Sequence, residues 1–228
     1  PSHNDAAEAD AMFDAAARHC LDNPDRAAFL DWFADAGPGI APALAADVEA
    51  SGGPVARFFR LFGAAIYNEL PLPQHRFRAS RTPLPGRNEP CLCGSGEKFK
   101  QCCAALAASL DLSEYNALAF VLEHLPESRY AELASSPVDV LDLGDVAEQW
   151  RLDDQHARVV ALLAPWFEAR TKLGGALEFL FVILTGSYFA LGRTADADRL
   201  MQLAIERGDK GLRAAAIRER SLQRLDND

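Results

Sequence analysis

Apolar residues recur at three- and four-residue intervals through most of the chain, in segments rich in alanine, leucine and charged residues, and few stretches alternate with period two. That spacing draws one apolar stripe along a helix of 3.6 residues per turn, whereas on a strand it would fall on both faces. An all-α fold is expected. Helices are predicted near residues 5–21, 24–36, 41–50 and 54–69, then near 101–110, 112–124, 126–134, 137–151, 154–170, 175–191, 195–207 and 209–224. Their starts are marked by Asn23 before Pro24, Gly53 before Pro54, Ser136 before Pro137, and Thr194, residue types that suit the unsatisfied first turn of a helix. Strands are expected only as a short hairpin around the glycine-rich turn at residues 94–96.

The helical pattern breaks in NELPLPQHRFRASRTPLPGRNEP, residues 68–90, which has five prolines and no sustained period. Each proline pushes the residue before it away from helical geometry. The break divides the chain into an N-terminal helical region (1–70), a proline-rich basic linker (71–85), a cysteine module (86–104) and a C-terminal helical region (105–228).

Composition changes this picture in two ways. The chain of 228 residues is long enough to bury a core without disulfides, and its net charge of -10 argues against wrapping nucleic acid or an anionic membrane over the whole surface. The charge is uneven, however. Residues 1–70 carry four basic and eleven acidic side chains, and residues 104–228 carry thirteen and twenty. Between them the sign reverses: Arg76, Arg78, Arg81, Arg87, Lys98 and Lys100 face only Glu89 and Glu97. The opening PSHNDAAEAD has no basic or apolar leader character, so no secretory signal is expected; the first residue is not Met, so the true start is expected to be missing. The most apolar run, Phe179 to Gly192, is shorter than the ~20 residues that span a bilayer and reads as a buried helix. A cytoplasmic protein without membrane contact is expected. There, closely spaced cysteines are reduced metal ligands rather than a disulfide framework.

Four of the five cysteines lie in GRNEPCLCGSGEKFKQCC, residues 86–103. Zinc takes four soft ligands in a tetrahedron, and Cys91, Cys93, Cys102 and Cys103 supply four thiolates from two loci. Gly94 and Gly96 flank Ser95 in the turn that must return the chain to itself. Adjacent Cys102 and Cys103 can both reach one ion if they sit in the first turn of a helix, whose positive end then faces the thiolates. Arg87, Lys98 and Lys100 would offset part of the site's negative charge. The ion either staples a knob too small to fold alone or shapes a recognition surface.

The same stretch resembles the SEC-C motif, the zinc-binding segment at the C-terminus of the export motor SecA that also occurs in otherwise unrelated bacterial proteins. The likeness runs through Arg87-Asn88, Pro90, the Cys-Leu-Cys pair, Gly94-Ser95-Gly96, Lys98, Phe99, Lys100 and the closing cysteines. It departs at Leu92, where proline is common, and at Glu97, where lysine is common. The resemblance covers less than a tenth of the chain. It implies Zn²⁺ and contact with other proteins, which for SecA are the chaperone SecB and the ribosome. No G-x-x-x-x-G-K-[ST] phosphate loop is present, so the motor's ATPase is not implied. Residues 178–211 are more loosely similar to a tetratricopeptide repeat. Phe181, Leu184, Tyr188, Gly192, Ala197, Met201 and Ala204 fall at its packing positions and Thr185 departs from its glycine; an ordinary antiparallel helix pair fits the same pattern.

Other residues offer little chemistry. His19 and Cys20 are neighbours on a helix and point about 100° apart. Asp153 and His156, with Asp154 and Glu148 nearby, have a spacing that can hold metal but that a solvated acidic face also produces. Trp32, Trp150 and Trp166 read as packing residues. The expectation is a helical bundle or short helical-repeat array with a small inserted zinc-binding knob, acting without enzymatic activity as an adaptor or chaperone-like accessory. Its partner would meet Arg87, Lys98, Phe99 and Lys100 on the knob and Arg76, Arg78 and Arg81 on the preceding arm. The alternative is a nucleic-acid or ribosome-binding protein in which His75 to Arg81 contacts phosphates and Phe77 stacks on a base. An enzyme with a site scattered through the sequence is a third alternative.

Overall fold

The computed structural model describes residues 3–80 and 82–226. They form twelve α-helices and one two-stranded sheet. The chain divides into two compact units, one ending at His124 and the other beginning at Leu125.

The first unit is built on α1 (His3–Asp22), α2 (Arg26–Ile40), α3 (Pro42–Ala50) and α4 (Val55–Glu69). Asp25, rather than Asn23, caps α2: its carboxylate accepts from the Ala28 N–H at 2.7 Å. The helix also runs through Pro38 to Ile40, beyond the expected end at residue 36. Helices α2 and α4 approach closely because each offers a glycine to the other's aromatic ring. A Cβ at Gly63 would lie 2.8 Å from Phe33, and Gly37 sits against Phe59 in the same way. Phe29, Phe33 and Phe59 are fully sealed there, with Phe13 and Ile66 in the same core.

The proline-rich segment is partly ordered into this unit. Strand β1 (Pro71–Leu72) pairs antiparallel with β2 (Arg78–Ala79), a hairpin that precedes the glycine turn; around that turn the expected strand pairing is reduced to one isolated bridge, Pro90 to Lys98. Arg76 and Phe77 both adopt positive φ, 56° and 55°, to close the hairpin. Leu70, Leu72 and Phe77 are buried, and the Tyr67 hydroxyl lies 3.2 Å from His75 Nε2. After the cysteines come α5 (Ala104–Ser109) and α6 (Ala117–His124). The latter stays with the first unit because Phe13 on α1 stacks on both Tyr115 and Phe120, at 4.9 and 5.2 Å, and Asp14 meets His124 Nε2 at 2.6 Å.

The second unit contains α7 (Ala131–Ala134), α8 (Val140–Leu152), α9 (His156–Glu168), α10 (Glu178–Ala190), α11 (Thr194–Arg207) and α12 (Lys210–Asp226). From α8 onward each helix packs on the next, and α10 also meets α8 and α12. Phe181, Leu184, Tyr188, Ala197, Met201 and Ala204 are all buried between α10 and its neighbours, and the chain turns at Gly192. The expected helical hairpin is present. Thr185 is sealed among them, its hydroxyl without a hydrogen-bond partner. The apolar run is a largely buried helix, as expected, with Phe179 and Val182 on α10 remaining 40% and 49% exposed. No helix among the described residues is long and apolar enough to cross a membrane.

Candidate metal centre

Residues 86–103 contain no α-helix and a single aromatic, Phe99, so backbone hydrogen bonds must give them most of their shape. Glu89 N–H closes a turn onto Gly86 O, and Pro90 bridges antiparallel to Lys98. Cys91 N–H then donates to Glu97 O at 2.7 Å and Phe99 N–H to Glu89 O at 2.9 Å. The segment folds back on itself, with Cys91 and Cys93 on one arm. At the tip Gly94 and Gly96 have φ of 80° and 77°, and no atom lies within 4 Å of where their Cβ would be. Glycine is required there by backbone conformation, not by lack of room.

The second arm is a single turn of 3-10 helix, Phe99–Gln101, after which Cys102 N–H donates to Phe99 O at 3.1 Å. Cys103 is the residue before α5, and its carbonyl accepts from Ala107 N–H at 2.8 Å. The adjacent cysteines therefore precede the helix rather than occupying its first turn. The kink at Cys102 still turns both thiols to one place. All four Sγ atoms lie within 4.8 Å of one another. Cys102 Sγ is 3.5 Å from Cys93 Sγ and 3.6 Å from Cys103 Sγ. Sulfurs bound at about 2.3 Å to one tetrahedral ion would stand about 3.8 Å apart, so small movements suffice to seat it. Among the described residues this is the one cluster of cysteines, histidines or carboxylates fit to hold a metal, and it contains no carboxylate.

Two features of the centre came from outside the motif. Leu61 of α4 completes an apolar cluster with Cys91, Cys93, Phe99 and Cys103. Its neighbour Arg60 donates from Nε to Leu92 O at 2.8 Å and pairs with Asp31 of α2. The sequence carried a faint signal for the latter, since Arg60 has no acidic residue three or four positions away on its own helix. Ser95 is the third supporting group. Its hydroxyl accepts from Glu97 N–H and lies 3.4 Å from Cys102 Sγ.

Burial works to raise the Cys93 thiol, but hydrogen bonds from the side chain and backbone of Ser95, and from Cys91 and Cys102, outweigh it and hold the group at about 7. Burial, followed by the surrounding thiols, pushes Cys103 upward. Metal uptake would displace protons from these sulfurs and is expected to weaken in acid. The fifth cysteine is different: Cys20 is sealed in the first unit's core and burial pushes its thiol up to about 12, beside a His19 stacked 4.0 Å from Trp32.

Arg87, Lys98 and Lys100 are exposed around the centre, as are Arg76 and Arg78 on the hairpin; Arg81 lies outside the described residues. Two aromatic expectations are corrected. Phe99 is 6% exposed and packs on the cysteines, so it supports the knob from within. Phe77 is 3% exposed and has no face free for a base. In the second unit, His156 is engaged with Ser187 at 3.4 Å and lies 3.7 Å from Asp154, and no metal cluster forms there among the described residues.

Comparison with known proteins agrees with this geometry at the knob. The SEC-C motif model matches residues 87–105. A UPF0225 protein of Shewanella sp. (strain ANA-3) is 80% identical over 20 residues, covering 9% of this chain and 12% of its own. The YecA protein of Escherichia coli (strain K12) is 84% identical over 19 residues, 8% and 9% of the two chains. The protein translocase subunit SecA of Ralstonia nicotianae is 45% identical over 53 residues, 19% of this chain and 6% of that one. The chain thus spans about an eighth or less of the length of each of these three relatives. No solved structure matches it. Residues 87–105 carry a SEC-C motif, a metal-binding element, set into an otherwise helical chain.

Proposed function

We infer that the protein is a zinc-binding adaptor or chaperone-like accessory that recognises another protein through its SEC-C knob. The observation that carries this reading is the convergence of four thiols in a segment whose cations, Arg87, Lys98 and Lys100, are all exposed. A four-sulfur donor set with no carboxylate suits zinc, a borderline-soft ion that thiolates both hold and neutralise. Bound there, zinc would supply cross-linking and no catalytic chemistry, because four protein ligands leave no open position. The exposed cations then favour a partner with an acidic surface.

Elemental analysis of protein purified without added metal should give one zinc per chain, with thiols that react only after chelation. Changing Arg87, Lys98 and Lys100 to Glu should weaken partner capture while leaving zinc in place. A zinc ratio near zero, or partner capture indifferent to both zinc and these cations, would overturn the reading.

A second reading, contact with the ribosome or another nucleic acid, draws on the exposure of Arg76 and Arg78 on the hairpin beside the motif. With Phe77 buried, it would rest on phosphate contacts alone and show a steep dependence on salt. Salt-insensitive RNA binding, or none, removes it.

A further inference from the structure

A cleft of about 150 Å³ opens in the first unit beside the knob. One wall is a face of α4, where Leu61, Ala65, Asn68 and Glu69 succeed one another at helical spacing. The opposite wall is Ala107 and Leu110, on and just after α5. Leu84 also lines the cleft and is 46% exposed.

Both walls are tied to their surroundings. The Asn68 side chain donates to Thr82 O at 3.0 Å and accepts from Thr82 N–H at 3.3 Å, holding the segment that leads to Leu84. Helix α5 starts from Cys103, and Leu61, Ala107 and Leu110 belong to the same apolar cluster as the cysteines. The cleft and the metal centre therefore share one core.

The lining decides the occupant. Apolar side chains and the polar groups of Asn68 and Glu69 share the lining of this open cleft, whose volume has room for one leucine, isoleucine, methionine or phenylalanine side chain. Asn68 commits one N–H and one oxygen lone pair to Thr82, which orients its amide. Among the described residues Glu69 is the one charged group in the lining; it is exposed, and no described residue pairs with it. A second copy of this acidic chain would bring further negative charge to that rim, whereas a lysine or arginine would neutralise it.

We propose that this cleft docks a single apolar side chain of an extended protein segment, with an adjacent lysine or arginine paired to Glu69, and that bound metal holds the cleft in shape. The proposal deepens the adaptor reading and rests on it. The knob's cations and the cleft's carboxylate then read different parts of one partner.

The test uses the full chain and a fluorescein-labelled Gly-Lys-Leu-Lys-Gly peptide, followed by anisotropy, with Gly-Lys-Ser-Lys-Gly and Gly-Glu-Leu-Glu-Gly as controls. Both controls should bind at least tenfold more weakly. Ala107→Trp, which fills the cleft, should reduce binding of the leucine peptide at least tenfold, and chelation should do the same. Glu69→Lys should reverse the preference between the lysine- and glutamate-flanked peptides. Should Ala107→Trp fail to fold, Leu84→Ser alters only an exposed lining residue and should still weaken binding several-fold. Equal binding of the leucine and serine peptides overturns the proposal. So does a concentration-dependent dimer that Ala107→Trp abolishes, since a second copy would then be the occupant. The Arg87, Lys98 and Lys100 substitutions should leave peptide binding unchanged. If peptide binding fails while partner capture still depends on those cations, the cleft proposal falls alone; if the peptide binds but no partner responds to zinc or to the cations, the adaptor reading falls.

Discussion

The knob and the α9–α10 interior are held together by opposite means. Between α9 and α10, Leu162, Leu163, Trp166, Phe167, Leu180, Phe181 and Leu184 are almost completely sealed. Each contributes its own share at roughly 25 cal/mol per Å² of apolar surface buried, and no single residue is indispensable. The knob has one aromatic and four cysteines inside, and it borrows Leu61 from α4. So short a segment cannot bury enough surface to stand alone, and its stability is concentrated in one centre. Distributed burial fails gradually under substitution; a single centre fails at once.

Metal removal should expose that difference most strongly. Structural zinc contributes on the order of 10 to 16 kcal/mol to modules that cannot fold without it. Chelation, or Cys91→Ser with Cys93→Ser, should therefore abolish amide-exchange protection across residues 86–103 and loosen α5. The helices of the second unit should keep their protection and their thermal transition. If α9 and α10 lose protection with the metal, the two regions are not independent in the way their interiors suggest.

The converse perturbation is Phe181→Ala. Phe181 is fully buried and meets Phe167 edge-on at a ring separation of 6.5 Å. Truncating such a side chain costs about 3–5 kcal/mol, part of it from the cavity left behind. The unfolding free energy of the second unit should fall by that amount, read from the denaturation midpoint and its slope, with one metal per chain retained. A loss of metal in this variant would break the comparison from the other side.

The two regions were also legible in different degrees. Periodicity located α9, α10 and α11 well, because apolar burial is what both the pattern and the packing express. It misplaced the start of α6 by several residues: Asp111 Oδ1 accepts from Ser113 N–H and Oγ, fixing a local turn where the apolar spacing continued. It also put the start of α8 too early, since Asp139 caps that helix and Ser136 instead donates to Leu133 O at the end of α7 and accepts from Val138 N–H. The hairpin at 71–79 escaped notice because two-residue strands have no period to read. The four cysteines that converge were evident from the motif. Arg60 and Leu61 were not, since their roles arise from α4 meeting the knob across a long sequence separation. Burial of Phe77 and Phe99 was missed for a related reason: each fills a small turn-rich core that no helical or strand pattern announces.

Two glycines give the finest test of the comparison. Gly94 in the knob has φ of 80°, and Gly186 lies exposed on α10; a Cβ at either would meet nothing within 4 Å. Space is equal, so only backbone conformation separates them. Gly94→Ala forces an L-residue into the left-handed region at a cost of roughly 1–2 kcal/mol. That cost falls on the cysteine turn and should weaken metal affinity by about tenfold, each factor of ten being about 1.4 kcal/mol. Gly186→Ala puts a better helix former into an existing helix and should stabilise the second unit by about 0.5–1 kcal/mol without touching the metal. Competition with a chromogenic chelator reads the first effect, and the denaturation midpoint reads the second. If Gly186→Ala destabilises α10, its open face is covered in solution. If Gly94→Ala binds metal with undiminished affinity, the turn relaxes elsewhere and the knob is less tightly determined by its centre than its hydrogen bonds imply.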